Sequence, residues 1–114
     1  MLQLIWMFED HVTDKSSMVE IKDCLEDQEF GTKRSRNIFD TVRSKTLKAE
    51  RLGREDLLVQ WSFEEACAKA MYNFGRPAAA YDPDAQFWIV PYAFRLAKQL
   101  ELPTDRLIDL VSKN

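Results

Sequence analysis

Glycine and proline are scarce in this chain, at three and four residues out of 114. An all-β domain needs a turn about every eight to twelve residues, and turns draw on those two residue types for their special backbone angles. The shortage argues against a sandwich or barrel of short strands and favours helices. Histidine is nearly missing too: His11 is alone, and Cys24 and Cys67 are the only cysteines. One imidazole and two scattered thiols cannot supply the four ligands of a structural zinc site, and no C-x-x-C pair points to a redox centre. Buried free thiols in a reducing compartment are expected. No apolar run approaches the ~20 residues that span a bilayer. The opening Met1-Leu-Gln-Leu-Ile-Trp-Met-Phe8 lacks a basic leader and meets Glu9 and Asp10 too soon for a signal peptide. A cytoplasmic protein is the expectation. The phosphate-cradling patterns G-x-x-x-x-G-K-[ST] and G-x-G-x-x-G are absent, so no cofactor is expected.

What is present is a sorted charge. Residues 1–30 hold eight acids against Lys15 and Lys22, while residues 31–54 hold eight bases against Asp40 and Glu50. Such blocks can pair with each other inside the fold, or present one sign of field to a charged partner. Net charge is −3 and the pI is near 5.2, which argues against general nucleic-acid affinity and leaves only the local basic block. Apolar residues make up 46% of the chain and reach every segment, enough for one domain with a true core.

Apolar recurrence at helical spacing predicts a single compact all-α bundle of five to six helices over residues 1–114. The first element covers about Leu2 to Val12. A second, capped by Ser16 or Ser17, turns Met18, Ile21 and Leu25 inward and ends near Phe30-Gly31. Lys33 to Leu52 reads as the longest helix, with Ile38, Val42, Ala49 and Leu52 on one face, Lys45 the one interruption and Gly53 at its close. Ser62-Phe-Glu-Glu65 matches a capping box, predicting a helix start there, with residues 54–61 a separate turn or its upstream extension. Pro91 is expected at the first position of a fresh helix that follows a turn over Asp84 to Ile89. Leu102-Pro103 stops that helix and Thr104 caps a short final one. Trp61, Cys67, Phe74, Trp88, Leu96 and Leu107 are expected to be buried.

None of the chemical constellations carries a signature. A Cys–His enzyme would need Cys24 or Cys67 beside His11, and Cys67 falls on an apolar-facing position. The carboxylates Glu64, Glu65, Asp82 and Asp84 have ready structural roles at helix starts. The stretch from Arg95 to Val111 resembles a helix-turn-helix in rhythm, but Glu101 stands where a turn Gly is usual, and Asp105 and Asp109 would repel a duplex. Nine of the thirteen aromatics lie between Trp61 and Phe94. Within that block Glu65-Ala-Cys-Ala-Lys69, Tyr72-Asn73, Tyr81-Asp-Pro-Asp84 and Phe87-Trp88-Ile-Val-Pro91 resemble small uncharacterised bacterial proteins. The resemblance implies a bacterial accessory protein and places no catalytic residue.

The most economical reading is a non-enzymatic immunity protein that neutralises a cognate toxin by stoichiometric binding. A toxin acting on nucleic acid, such as a basic nuclease, would be steered by an acidic surface. Glu20, Asp23, Glu26 and Asp27, with Asp82 and Asp84, are the candidate partner-binding residues. The alternative is a nucleic-acid-associated or regulatory adaptor that uses the basic helix 33–54.

Overall fold

The computed structural model describes residues 2–74 and 86–112. Six helices follow in order: α1 (Leu2–Glu9), α2 (Ser16–Glu26), α3 (Lys33–Leu52), α4 (Glu55–Phe74), α5 (Ile89–Gln99) and α6 (Thr104–Ser112). The all-α bundle read from the sequence is the fold observed. No strand occurs among the described residues. Helix α4 is the hub, packing on α2, α3 and α5, while α6 closes the bundle against α5 and α1.

Side-chain size explains why α4 can touch so many neighbours. Ala66, Cys67, Ala68, Ala70 and Met71 are all buried, so its second half is covered on several sides, and small residues let adjacent helices approach closely. Phe63 fills the space in front of them, edge-on to Phe8 with ring centroids 5.1 Å apart. Met18, Ile21 and Cys24 of α2, Val42 of α3, Leu96 and Ala97 of α5 and Leu107 of α6 complete the core.

Helix ends follow local chemistry. Thr32 caps α3 by accepting the Ser35 N–H at 3.2 Å, and Gly53 closes it in the left-handed region at φ 67°. Arg54 then donates its N–H to the Ala49 carbonyl, completing the reversal into α4. Two other helices end in the same hydrogen-bonded pattern without glycine. Gln28 takes φ 56° after α2 and Glu101 takes φ 57° after α5. Glu29 donates back to Cys24, and Leu102 to Ala97, as the motif requires.

Several expectations from the sequence are corrected. The capping box is not a helix start: α4 runs unbroken from Glu55, and Ser62 lies in its third turn. Residues 55–61 are its upstream extension, one of the two readings the sequence left open: nothing there breaks a helix, and Glu55 and Asp56 already supply the first-turn acids that complement the helix dipole. Neither Ser16 nor Ser17 caps α2. The carboxylate of Asp14 accepts from the Ser16 N–H instead, at 3.1 Å, and Ser17 turns inward. Helix α2 stops at Glu26 rather than near Gly31, because Gln28 reverses the chain first. Pro91 is the third residue of α5, where its missing N–H would lack an intrahelical partner anyway. Leu52 is exposed, since the last turn of α3 and the first of α4 project past the core around Gly53. Phe74 and Trp88 are exposed as well, at 65% and 57%, each meeting one ring at a tilt, Phe30 and Tyr92 respectively. Trp61 is half-buried, and Cys67, Leu96 and Leu107 are buried as expected.

Candidate functional site

The acidic candidates on α2 form one surface. Met18, Ile21, Cys24 and Leu25 fix the inward face, so Glu20, Asp23 and Glu26 point to solvent, with Asp27 just past the helix end. Asp27 is not a free charge: the Arg34 guanidinium donates to it at 2.7 Å. No cation lies within ion-pair distance of Glu20, Asp23 or Glu26 among the described residues. Asp82 and Asp84 lie outside the described residues.

The basic block sits next door on α3 and the acidic block neutralises only part of it. Arg34 pairs with Asp27, and Lys45 approaches Asp14 to 3.6 Å. Lys33, Arg43, Lys48 and Arg51 are exposed and have no carboxylate at ion-pair distance among the described residues. Glu20 and Asp23 line a groove between α2 and α3 together with Lys33 and Arg34, so their field is partly offset there. Glu26 does not line it. A second groove, of about 410 Å³, runs between α3, α4 and α5. Arg43, Glu65 and Arg95 reach it, above a floor of Thr46, Val59 and Ser62. Burial pushes the Glu65 carboxyl up, against the pull of Arg43 and Lys69.

Sequence reasoning missed the most organised polar feature, a buried cluster where α2, α3 and α4 meet. Glu64 is 1% exposed and Ser17 is 2% exposed. The Ser17 hydroxyl donates to one Glu64 oxygen, and the Gln60 amide donates to the other at 2.7 Å. That amide also donates to the Asp14 carbonyl at 2.7 Å, tying the start of α2 to α4. From α3, the Lys45 ammonium donates to the Ser16 and Ser17 hydroxyls at 3.3 Å each. It also lies over the Trp61 ring, 5.5 Å from the centroid. Desolvation raises the Glu64 carboxyl to about 7; the Ser17 and Gln60 hydrogen bonds and the Lys45 charge oppose that rise. The signal was present in the sequence as Lys45, the one break in the apolar stripe of α3. A lysine on an inward face needs polar partners, and the start of α2 supplies them in Ser16, Ser17 and the nearby Asp14.

A Ser beside a Lys and a carboxylate has the ingredients of an activated nucleophile. Here Ser17 is enclosed and lines neither groove, so the arrangement joins helices rather than presenting a hydroxyl. Both thiols are buried and free, and burial drives each pKa upward, leaving protonated, unreactive sulfur. Among the described residues no group of His, Cys, Asp and Glu could hold a metal ion, and no helix is long and apolar enough to cross a membrane. No protein-family model, curated protein or solved structure matches the chain.

Proposed function

We propose that this protein acts by stoichiometric binding of a basic partner protein through the exposed face of α2, as an immunity protein neutralising a cognate toxin such as a nuclease. The observation that carries the reading is the presence of three exposed carboxylates, Glu20, Asp23 and Glu26, with no pairing cation among the described residues, on a helix anchored by its buried opposite face. An acidic surface whose carboxylates are not held in ion pairs among the described residues steers a basic partner into encounter. Asp27 contributes less, because Arg34 already holds it.

The unpaired bases of α3 favour a second reading, a nucleic-acid-associated adaptor using Arg43, Lys48 and Arg51. The two readings make opposite demands on the same experiment. The tagged wild type and the variants Asp23→Lys/Glu26→Lys and Arg43→Glu/Lys48→Glu are compared for retention of basic proteins from native lysate and for binding to a generic DNA duplex. The partner reading expects the acidic variant to slow association with the retained protein, most at low salt, where screening is weak. The adaptor reading expects the basic variant alone to lose binding. Tight duplex binding by the wild type at physiological salt would overturn the immunity reading.

A further inference from the structure

We propose that the cluster around Glu64 is a pH-sensitive clasp, in which the protonation state of one buried carboxyl fastens or loosens the N-terminal end of α2 on α3 and α4. The clasp does not depend on which partner the protein binds. Its parts come from every element meeting there: Asp14 from the connection before α2, Ser16 and Ser17 from α2, Lys45 from α3, and Gln60 and Glu64 from α4. The charged groups facing Glu64 are Lys45 and Asp14. Asp14 stays ionised throughout, because hydrogen bonds from the Ser16 hydroxyl and N–H hold its carboxyl below the usual range. Cys67, one turn further along α4, also feels Glu64, but its burial keeps the thiol protonated.

With Glu64 neutral, its hydroxyl can donate to Ser17 Oγ, which still accepts from Lys45, while the second carboxyl oxygen still accepts from Gln60. The junction then carries one anion, Asp14, against one cation, Lys45. Ionised Glu64 keeps its two donors but adds a second, dehydrated negative charge against a single ammonium. The least costly relief is to admit water, and the start of α2 is the place where that can happen. Lys15 and Ser16 are exposed, as are Asp10, His11 and Thr13 before them, whereas α3 and α4 hold each other along their lengths. The backbone hydrogen bond that opens α2, from the Val19 N–H to the Lys15 carbonyl, lies within this turn.

Two measurements on the whole protein test the clasp. Carbon-13 titration of the wild type should show Glu64 protonating near 7, as its burial requires. Amide hydrogen exchange at Val19, Glu20 and Ile21 is then compared with Glu64→Gln at the same pH, which cancels the intrinsic base catalysis of exchange. Between about pH 5.5 and about pH 8.5 the wild-type-to-variant ratio should rise up to about thirtyfold, if opening returns the carboxyl to its ordinary value of 4.5. A flat ratio, or titration in the ordinary carboxylate range, would overturn the proposal. Should Glu64→Gln not fold, Lys45→Met serves instead. Loss of the ammonium should move both the titration midpoint and the exchange rise to higher pH, and unmoved midpoints would overturn the clasp.

Discussion

Along its first half α4 turns Gln60 and Glu64 inward, and along its second half it turns Ala66, Cys67, Ala68, Ala70 and Met71 inward. Both halves are buried, but the means differ. The second half relies on area and close packing, which are non-directional and tolerate volume-conserving exchange. The first half relies on donors and acceptors placed to within a few tenths of an ångström, and each depends on the others: Gln60 is shared by Asp14 and Glu64, and Ser17 by Glu64 and Lys45. A satisfied polar network specifies one helix register; an incomplete one costs more than the apolar core it replaced. The apolar half should therefore set how stable the protein is, and the polar half how that stability varies with pH.

The hardest blow to the apolar packing of α4 is Phe63→Ala, at a residue that stands between Gln60 and Glu64 but faces Phe8. Phe63 is fully buried, edge-on to Phe8, and its loss should cost about 3–5 kcal/mol with no dependence on pH. Denaturant unfolding at pH 6 and at pH 8 should report the same loss. A loss confined to one pH would show that the two halves are not separable.

The polar half should show itself next, in the wild type alone. Because the folded protein holds Glu64 near 7 against an ordinary 4.5, the folded state binds that proton more tightly than the unfolded chain does. The stability gained this way is complete below the ordinary value and is lost as pH rises through the folded one. Over that window the loss should be about 3 kcal/mol, from about 1.4 kcal/mol per unit. Unfolding free energy measured in steps from pH 4.5 to pH 8 checks it, with Glu64→Gln expected to remove this component.

Ser17→Ala should have a smaller effect, and one that depends on pH. The hydroxyl donates to the Glu64 carboxylate, so its loss leaves an ionised group one partner short, at about 1–3 kcal/mol above pH 8. Below about pH 5.5 the carboxyl is neutral and the penalty should shrink toward the ordinary cost of one lost hydrogen bond, about 1 kcal/mol. Equal penalties at both pH values would mean that Ser17 serves packing alone.

The same contrast explains what could be read before the structure. Apolar periodicity carried the helix count, and the bounds of α3 came through to the residue, because Gly53 ends it and its inward residues recur every three to four positions. The polar junction was legible only as an anomaly, Lys45 on an inward face, since its partners Ser17 and Asp14 lie 28 and 31 residues away in sequence and no local spacing links them. The capping box misled for a related reason. Ser62 and Glu65 have the right spacing, but a box acts only where the chain before it is non-helical, and residues 55–61 are helical here. Phe74 and Trp88 misled through composition: aromatic density says how much apolar surface a segment owns, not which side of it meets the core. For the candidate surface, the i, i+3, i+7 spacing put Glu20, Asp23 and Asp27 outward and all three are exposed, while the Arg34 bond to Asp27 depends on the turn between α2 and α3 and left no trace in spacing.

Helix ends extend the comparison to the smallest expected effect. The reversal after α3 uses Gly53, whereas those after α2 and α5 place Gln28 and Glu101 in the same left-handed region. A side chain there crowds the following carbonyl by about 1–2 kcal/mol, part of which glycine returns through its greater freedom in the unfolded chain. Glu101→Gly should therefore stabilise the protein by about 0.5–1 kcal/mol, a rise of a few degrees in Tm. Gly53→Ala should lose about as much, although nothing stands within 4 Å of the added carbon, because the strain lies in φ and not in space. If Glu101→Gly instead lowered Tm, the Glu101 side chain would be doing more than ending a helix. It lines a shallow groove with Phe94, Arg95 and Lys98, and its carboxylate would then be supporting those bases across the α5–α6 corner.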